Sequence, residues 1–209
     1  MGVGMGSRCA ALLLSGGGSR RWGGAPKSLL PVRGRPALGY MAEVALRAGC
    51  DPIVAVLGPG QESAESAVVG LPVRIVHVPD HPQARTGSIQ AGLATVPGGL
   101  DLLLWPVDHP LVRPETVSAL LAARGARGRP SWWVPEFEGR SGHPVVIAAD
   151  ALPRIRALPV EASLREARPE PPDELCRLPV DDPGVVANVD TPEAYRRFRE
   201  AGSARGEDW

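Results

Sequence analysis

Apolar segments and helical segments alternate four times along the first half of the chain. The apolar runs are CAALLLS, PIVAVLG, PVRIVHV and DLLLWPVD, and a segment with helical character follows each of them. Such alternation favours a parallel sheet with helices on both faces, and the unbroken apolar character of the runs is typical of strands buried on both sides. The sequence therefore predicts an α/β fold, a three-layer sandwich around a mostly parallel central sheet.

The second half of the chain is less regular. The segments SWWVPEFEG, HPVVIAA, ELCRLPV and GVVANV predict further, shorter strands, and TPEAYRRFREAG predicts a final helix. A chain of 209 residues suits one domain with a full core. We expect a single domain over residues 1–201 and a frayed tail over residues 202–209.

Composition limits the partners and the compartment. The 23 basic and 23 acidic residues balance, so bulk charge indicates neither nucleic acid nor a membrane surface as a partner. No apolar run approaches the ~20 residues that span a bilayer, and the first residues lack the apolar stretch of a secretory signal. Cys9, Cys50 and Cys176 have no metal-binding spacing, so we expect small buried side chains in a reducing cytoplasm.

A glycine-rich loop, SGGGSRRWGGAPKSLL, follows the first predicted strand. In open α/β sheets ligands bind at the carboxyl ends of strands, and glycines let backbone N–H groups approach phosphate oxygens. The spacing fits neither the compact phosphate loop nor the dinucleotide fingerprint, so it predicts a phosphate-rich ligand without specifying which. A flexible surface loop is the alternative. Of the 23 basic residues 22 are arginine, and the single lysine, Lys27, lies in this loop, which suggests a task for its compact ammonium group.

The segment LLLSGGGSRRWGGAPKSLLPVRGRPAL resembles the signature of the MobA-like nucleotidyltransferases, with Trp22 at a position usually held by methionine. Four later segments resemble further motifs of that family, in the same order: RTGSIQAGL, WPVDHPLV, GRSGHPVVI and VDDPGVVANVDTPEAY. The last is similar to the molybdenum cofactor cytidylyltransferase branch, although Asn188 and Ala194 replace aspartates of its pattern. The resemblance covers residues 14–195 and implies a Rossmann-like fold of the nucleotide-diphospho-sugar transferase type.

The resemblance implies transfer of a nucleoside monophosphate from a nucleoside triphosphate to a phosphate-bearing acceptor, with release of pyrophosphate. An acceptor phosphate needs no deprotonating base at neutral pH, so catalysis requires mainly alignment and neutralisation of charge. Arg21, Lys27 and Asp108 are the expected catalytic residues, the first two as ligands of the triphosphate. The residues expected to bind the nucleotide are Leu14, Ser15, Gly16, Gly17, Gly18, Ser19, Arg21, Lys27, Arg85, Gly87 and Ser88.

Two aspartates are candidate ligands of Mg²⁺. Asp108 ends the apolar run DLLLWPVD, where an unpaired carboxylate would be costly to bury. Asp190 is the expected second ligand, and Asn188 could supply a neutral oxygen instead. For both aspartates, capping of the following helix is the alternative.

The GRSGHPVVI segment supplies the expected acceptor site. His143 and Gly142 are assigned to that site, although a histidine held in a turn by local hydrogen bonds is equally consistent with the sequence. His109 could support Asp108. Trp132 and Trp133 alternate in direction on a strand, so one is expected in the core while the other could line the acceptor site.

The sequence indicates the substrates less directly. The tetrad LSGG is nearer to the form that accompanies guanine use, whereas three later segments are nearer to the cytidine branch, so CTP is expected and GTP is the alternative. Molybdopterin carrying molybdenum is the expected acceptor, with a molybdoenzyme or a chaperone as protein partner. A sugar-phosphate nucleotidyltransferase, a non-catalytic chaperone that binds nucleotide or cofactor, and an oxidoreductase with Glu43 near the ribose are the other hypotheses.

Overall fold

The computed structural model describes residues 9–16, 22, 26–79, 85–126, 130–169, 175–204 and 206, with Arg85, Gly125 and Ala126 described only by their place in helices. Strands β1 to β10 cover Cys9–Ser15, Pro31–Val32, Arg35–Pro36, Cys50–Leu57, Val73–His77, Asp101–Pro106, Trp132–Phe137, Arg140–Ser141, Val145–Ile147 and Leu175–Pro179. Helices α1 to α5 cover Ala37–Arg47, Arg85–Leu93, Pro114–Ala126, Leu152–Arg156 and Pro192–Ala204. Short 3-10 helices cover Lys27–Leu29, Glu62–Val68, Ala149–Ala151, Leu164–Ala167 and Pro183–Val186.

The central sheet is mostly parallel, as the sequence predicts. Within the described part of the chain its strands follow the order β10-β7-β9-β6-β1-β4-β5, and β8 pairs with β7. Strand β1 lies between β6 and β4 and is parallel to both. Strand β9 is antiparallel to its neighbours β6 and β7. The carboxyl ends of β6, β1 and β4 therefore meet at one edge of the sheet.

Helices cover both faces of the sheet, which confirms the three-layer architecture. On β1, Ala11 and Leu13 face the core formed with α1, α3 and α5, whereas Ala10 and Leu12 face the core formed with α2 and α4. All four side chains are fully buried, which explains why the CAALLLS run has no polar side until its end. Helix α2 lies close to β1 because it carries Gly92, where a Cβ would lie 2.3 Å from Leu12 Cδ1.

Several local predictions need correction or refinement. The GVVANV segment is not a strand: Pro183–Val186 is a 3-10 helix, because the Asp182 carboxylate accepts from the Gly184 N–H at 2.9 Å and caps its first turn. Helix α5 reaches Ala204 and buries Gly202, so helical structure passes the predicted boundary at residue 201, while residues 207–209 lie outside the described part.

The cysteines are free thiols. Cys9 and Cys50, both buried, are register partners on β1 and β4, which confirms the prediction of small core side chains for these two; Cys176 is half-buried. No helix in the described ranges combines the length and the apolar character needed to cross a bilayer.

Candidate active site

The candidate site lies where β6, β1 and β4 end. Backbone hydrogen bonds extend beyond the strands: Val107 N–H donates to Leu14 O at 2.9 Å, and Gly58 N–H donates to Ser15 O at 3.0 Å. Asp108 lies in the turn two residues after β6 rather than on the strand itself. The parallel register thus brings the start of the glycine-rich loop beside Asp108, as the sequence predicts.

Part of the predicted nucleotide site falls outside the described residues. Gly17, Gly18, Ser19 and Arg21 are in this group, so their assignment to the triphosphate stays a prediction. Arg85 is placed only in the first turn of α2.

The loop and α2 meet at Gly16, where a Cβ would lie 3.5 Å from Ser88 Oγ. The neighbouring Gly87 and Leu14 are half-buried. Ser15 differs from these, because its buried hydroxyl donates to Gln61 Oε1 at 3.1 Å. Its side chain is therefore engaged in the interior, which leaves its backbone for the predicted nucleotide contact.

Lys27 and Asp190 are in direct contact. Lys27 Nζ lies 2.5 Å from Asp190 Oδ1, and the side chains retain 17% and 42% of their exposure. Lys27 begins the 3-10 helix Lys27–Leu29, and Asp190 lies two residues before α5. The structure thus joins a predicted triphosphate ligand from the amino-terminal loop with a predicted metal ligand from the end of the chain.

Asp108 lies beside the same carboxyl-terminal segment. Its backbone oxygen accepts from Val189 N–H at 2.8 Å, and its Oδ2 lies 3.5 Å from Asn188 Nδ2, a long hydrogen bond. Asp108 Oδ1 is buried without a hydrogen-bond partner among the described residues. A buried carboxylate oxygen without a donor is costly, and a cation is one partner that would fit it.

Two histidines pack beside Asp108. The rings of His109 and His143 lie 4.8 Å apart at an interplanar angle of 53°, and His109 Nε2 lies 4.0 Å from Asp108 Oδ1. Burial lowers the pKa of His109 despite the opposing charges of Asp108 and Asp190. Burial, with His109 and Arg168, lowers the pKa of His143 to about 3. Both rings are therefore neutral at pH 7.

The predicted acceptor residues are tied to the segment that carries the metal candidates. His143 N–H donates to Val185 O at 2.9 Å, and the His143–Pro144 peptide is cis. A Cβ on Gly142 would lie 2.2 Å from Val185 O, so only glycine permits this approach. The contact places His143 against His109 and explains the glycine of the GRSGHP motif by packing.

Three tryptophans bear on the candidate site in different ways. Trp132 and Trp133 are both buried and lie in opposite cores, so neither lines an acceptor site, and that expectation was wrong. Trp22 donates from Nε1 to Val189 O at 3.1 Å, and its ring lies edge-on to Tyr195 at 6.1 Å. Trp22, which replaces the usual methionine, thus connects the glycine-rich loop to the segment that contains Asp190. The sequence analysis did not predict this contact.

The donor set suits Mg²⁺ bound together with a substrate. Asp108 and Asp190 offer carboxylate oxygens and Asn188 an amide oxygen, and the orphaned Oδ1 of Asp108 fits a cation. In the described residues no three His, Cys, Asp or Glu side chains form a ready metal cage. Magnesium commonly binds one or two carboxylates and completes its coordination shell with phosphate oxygens and water. The oxygens of Asp108, Asp190 and Asn188 fit this pattern of coordination.

The sequence profile of the MobA-like NTP transferase domain matches residues 11–175. The molybdenum cofactor guanylyltransferase of Ectopseudomonas mendocina is 32% identical over 94% of this chain and 94% of its own length. Nicotine blue oxidoreductase of Paenarthrobacter nicotinovorans is 30% identical over 90% of this chain and 94% of its own.

A longer relative is the bifunctional protein GlmU of Alkalilimnicola ehrlichii, 36% identical over 65% of this chain, which spans only 30% of that protein. Among solved structures, Rv0371c of Mycobacterium tuberculosis H37Rv superposes with a TM-score of 0.78 at 27% identity, over 93% of this chain and 99% of that one. These similarities and the nucleotide-diphospho-sugar transferase fold lead to one conclusion: the chain belongs to the MobA-like NTP transferase family.

Proposed function

We propose that this chain transfers cytidine monophosphate from CTP to molybdopterin that carries molybdenum, and releases pyrophosphate. The observation that carries the proposal is the convergence of Lys27, Asp190 and Asp108 at the carboxyl edge of the sheet. An ammonium group and two carboxylates at one place suit a metal-bound triphosphate, since catalysis of phosphoryl transfer depends on positioning and charge neutralisation.

In the proposed reaction an acceptor phosphate oxygen attacks the α-phosphorus of CTP. The bond from that phosphorus to the bridging oxygen breaks, and the electron pair leaves with pyrophosphate. Lys27, released from Asp190, binds the β- and γ-phosphate oxygens and neutralises the leaving group, and Arg21 holds the same phosphates from the loop. Asp108 and Asp190 would hold Mg²⁺, which when bound neutralises charge on the phosphates.

The acceptor side is assigned to His143 and Gly142. Because burial lowers the pKa of His143 to about 3, its ring is uncharged at neutral pH before substrate binds and can offer a neutral hydrogen bond to the acceptor. The docking of Gly142 on Val185 supports this assignment, because it keeps the histidine beside Asp108 and its neighbour His109.

GTP is the second candidate nucleotide. The LSGG tetrad and the guanylyltransferase relative at 32% identity favour it, whereas RTGSIQAGL, GHPVV and the DDPGVVANVDTPEAY segment favour CTP. Calorimetric titration with CTP and with GTP in the presence of Mg²⁺ decides between them. Tighter binding of GTP would replace CTP in the proposal and leave the reaction class unchanged.

Turnover distinguishes the remaining hypotheses. Release of pyrophosphate from a nucleoside triphosphate plus molybdopterin is expected; binding without release would identify a non-catalytic chaperone, and release with a sugar phosphate would change the acceptor. Because one relative is a nicotine blue oxidoreductase, the same preparation should also be assayed for reduction of nicotine blue. Glu43 does not favour that activity, because on α1 it pairs with Arg47 of the same helix and with Arg35 of β3. A cytoplasmic location and a molybdoenzyme partner remain part of the proposal.

A further inference from the structure

A buried glutamine joins the two ends of the glycine-rich loop. Gln61 Oε1 accepts from Ser15 Oγ at 3.1 Å and from Ser28 Oγ at 3.2 Å. Ser15, Ser28 and Gln61 are 1%, 0% and 3% exposed. Ser15 is the last residue of β1 and Ser28 directly follows Lys27, so this single oxygen holds both flanks of the segment 16–27.

The glutamine is itself held in place by backbone contacts. Gln61 N–H donates to Gly58 O at 3.2 Å, and Gln61 O accepts from Ala64 N–H at 2.9 Å. The Gly58 backbone lies so close to Gly16 that a Cβ on Gly58 would be 2.8 Å from Gly16 O. The turn from Gly58 to Gln61 thus packs against the start of the loop at Gly16. The side-chain amide of Gln61 reaches Ser28 at the end of the loop.

Buried hydroxyl groups need a partner, and a fully satisfied buried network favours one arrangement of the groups that form it. Here the network connects Ser15, the residue before Gly16, to Ser28, the residue after Lys27. We propose that Gln61 is a positioning residue for nucleotide binding, which keeps the Lys27 ammonium and the Gly16 backbone at the separation that a triphosphate requires. The inference rests on the proposed function of the loop as the nucleotide site.

The first test compares Gln61→Met with wild type. Methionine has similar length and lacks the acceptor oxygen, so both hydroxyls lose their shared partner. We expect the Kd for CTP to rise about tenfold, or about 1.4 kcal/mol, with a matching rise in KM and a smaller change in kcat. Amide hydrogen exchange at Leu29 and Leu30, whose N–H groups bond to Pro26 O and Lys27 O, should become faster.

Tyr40→Phe is the matched control, since it also removes one buried side-chain hydrogen bond, from Tyr40 Oη to Val112 O at 2.7 Å, away from the loop. It should lower the melting temperature and leave the Kd for CTP and the exchange at Leu29 unchanged. Equal nucleotide affinity and equal exchange in Gln61→Met and Tyr40→Phe would overturn the proposal.

A triple variant separates positioning from stability. In Ser15→Ala/Ser28→Ala/Gln61→Met the hydroxyls and the shared acceptor are all gone, so part of the lost melting temperature should return while the Kd stays raised. Return of the Kd to the wild-type value would overturn the positioning role. If wild type binds neither CTP nor GTP, the proposed function is wrong, and the exchange at Leu29 and Leu30 still tests whether Gln61 holds the loop.

Discussion

Lys27 and Asp190 form an ion pair of 2.5 Å across 163 positions of sequence. The pair is only part-buried, with exposures of 17% and 42%, and such pairs typically contribute about 0–1 kcal/mol to folding. Its location between the loop and the segment of candidate metal ligands therefore has more bearing on function than on stability. In the proposed reaction Lys27 exchanges this contact for phosphate oxygens and Asp190 exchanges it for a cation.

Lys27→Ala should abolish most turnover without unfolding the protein. Loss of one charge-stabilising donor in a transition state commonly costs about 10²–10³-fold in kcat, whereas the free energy of unfolding should change by less than about 1 kcal/mol. Pyrophosphate release and urea unfolding measure the two quantities. Arg47→Ala, which removes the exposed pair with Glu43 at 3.3 Å, is the control and should retain activity. Equal turnover in Lys27→Ala and wild type would remove this lysine from the mechanism.

Lys27→Arg should restore little of the activity lost in Lys27→Ala. The guanidinium group is planar and bulky, and it cannot take the position of a compact ammonium within 2.5 Å of Asp190 without displacing its neighbours. The kcat of the two variants in the same assay tests this. Full activity of the arginine variant would mean that any cation suffices, and that the single lysine of the chain has no special task.

Asp108→Asn should lower activity without lowering stability. The substitution removes the charge from a carboxylate whose Oδ1 is buried without a partner among the described residues, so the melting temperature should stay the same or rise. Pyrophosphate release should fall about 100-fold and require more Mg²⁺, since stabilisation by the metal is worth several kcal/mol. Asp181→Asn at an exposed position is the control. A large loss of stability with normal turnover would contradict the metal assignment.

His143 should make stability depend on pH. Burial lowers the pKa of His143 to about 3 in the folded chain, against about 6.5 in the unfolded chain. Between these values only the unfolded chain binds the proton, so stability falls as the pH falls from about 6.5 towards 3, by up to about 1.4 kcal/mol per pH unit from this group. Above pH 6.5 the contribution is constant.

The measurement is the free energy of unfolding from pH 7.5 to 4.5 in wild type and in His143→Gln. The variant lacks the titrating ring, so its curve should be flatter than that of wild type over this interval. His77→Gln is the control for the loss of a histidine at an exposed position, because His77 lies half-exposed beside Glu65. Parallel curves for wild type and His143→Gln would show that the ring is not buried as a neutral group.

Gly142→Ala should destabilise the acceptor side of the site. Its Cβ would lie 2.2 Å from Val185 O, and overpacking of this kind typically costs about 1–3 kcal/mol. Because Gly142 precedes His143, the KM for the acceptor should rise more than the KM for the nucleotide. Gly98→Ala has nothing within 4 Å of its Cβ and should be neutral. Similar stability of the two variants would show that the close approach to Val185 is absent.

Much of the fold follows from local pattern. The CAALLLS, PIVAVLG and DLLLWPVD runs became the central strands β1, β4 and β6 because their side chains fill both cores. The pattern failed where a specific contact prevailed over composition: GVVANV has the composition of a strand, but the Asp182 cap starts a 3-10 helix at Pro183. Trp132 and Trp133 alternate in direction as predicted, yet helices cover both faces, so neither reaches a site.

The individual residues of the candidate site could be predicted from the sequence. The lone Lys27, the carboxylate after DLLLWPVD and the GRSGHP segment can each be recognised in the sequence. Their geometry could not be, because nothing local indicates that Gln61 accepts from both Ser15 and Ser28 or that Trp22 donates to Val189. These contacts join segments that are far apart in the sequence, so no hydrophobic period or local motif indicates them.

The sequence by itself determined the layer architecture, the edge of the sheet at which the candidate site lies and the residue types available there. These properties depend on hydrophobic periodicity and on glycine and charge within short windows. Only the tertiary structure decided that Lys27 contacts Asp190, that the His143 ring lies tilted against His109 and that Ser15 faces inward. The first two pairings depend on how the 3-10 helix Pro183–Val186 and the segment before α5 pack against the sheet, and the third depends on the turn after β4 that carries Gln61. Packing of this kind is a property of the whole core and not of any single segment.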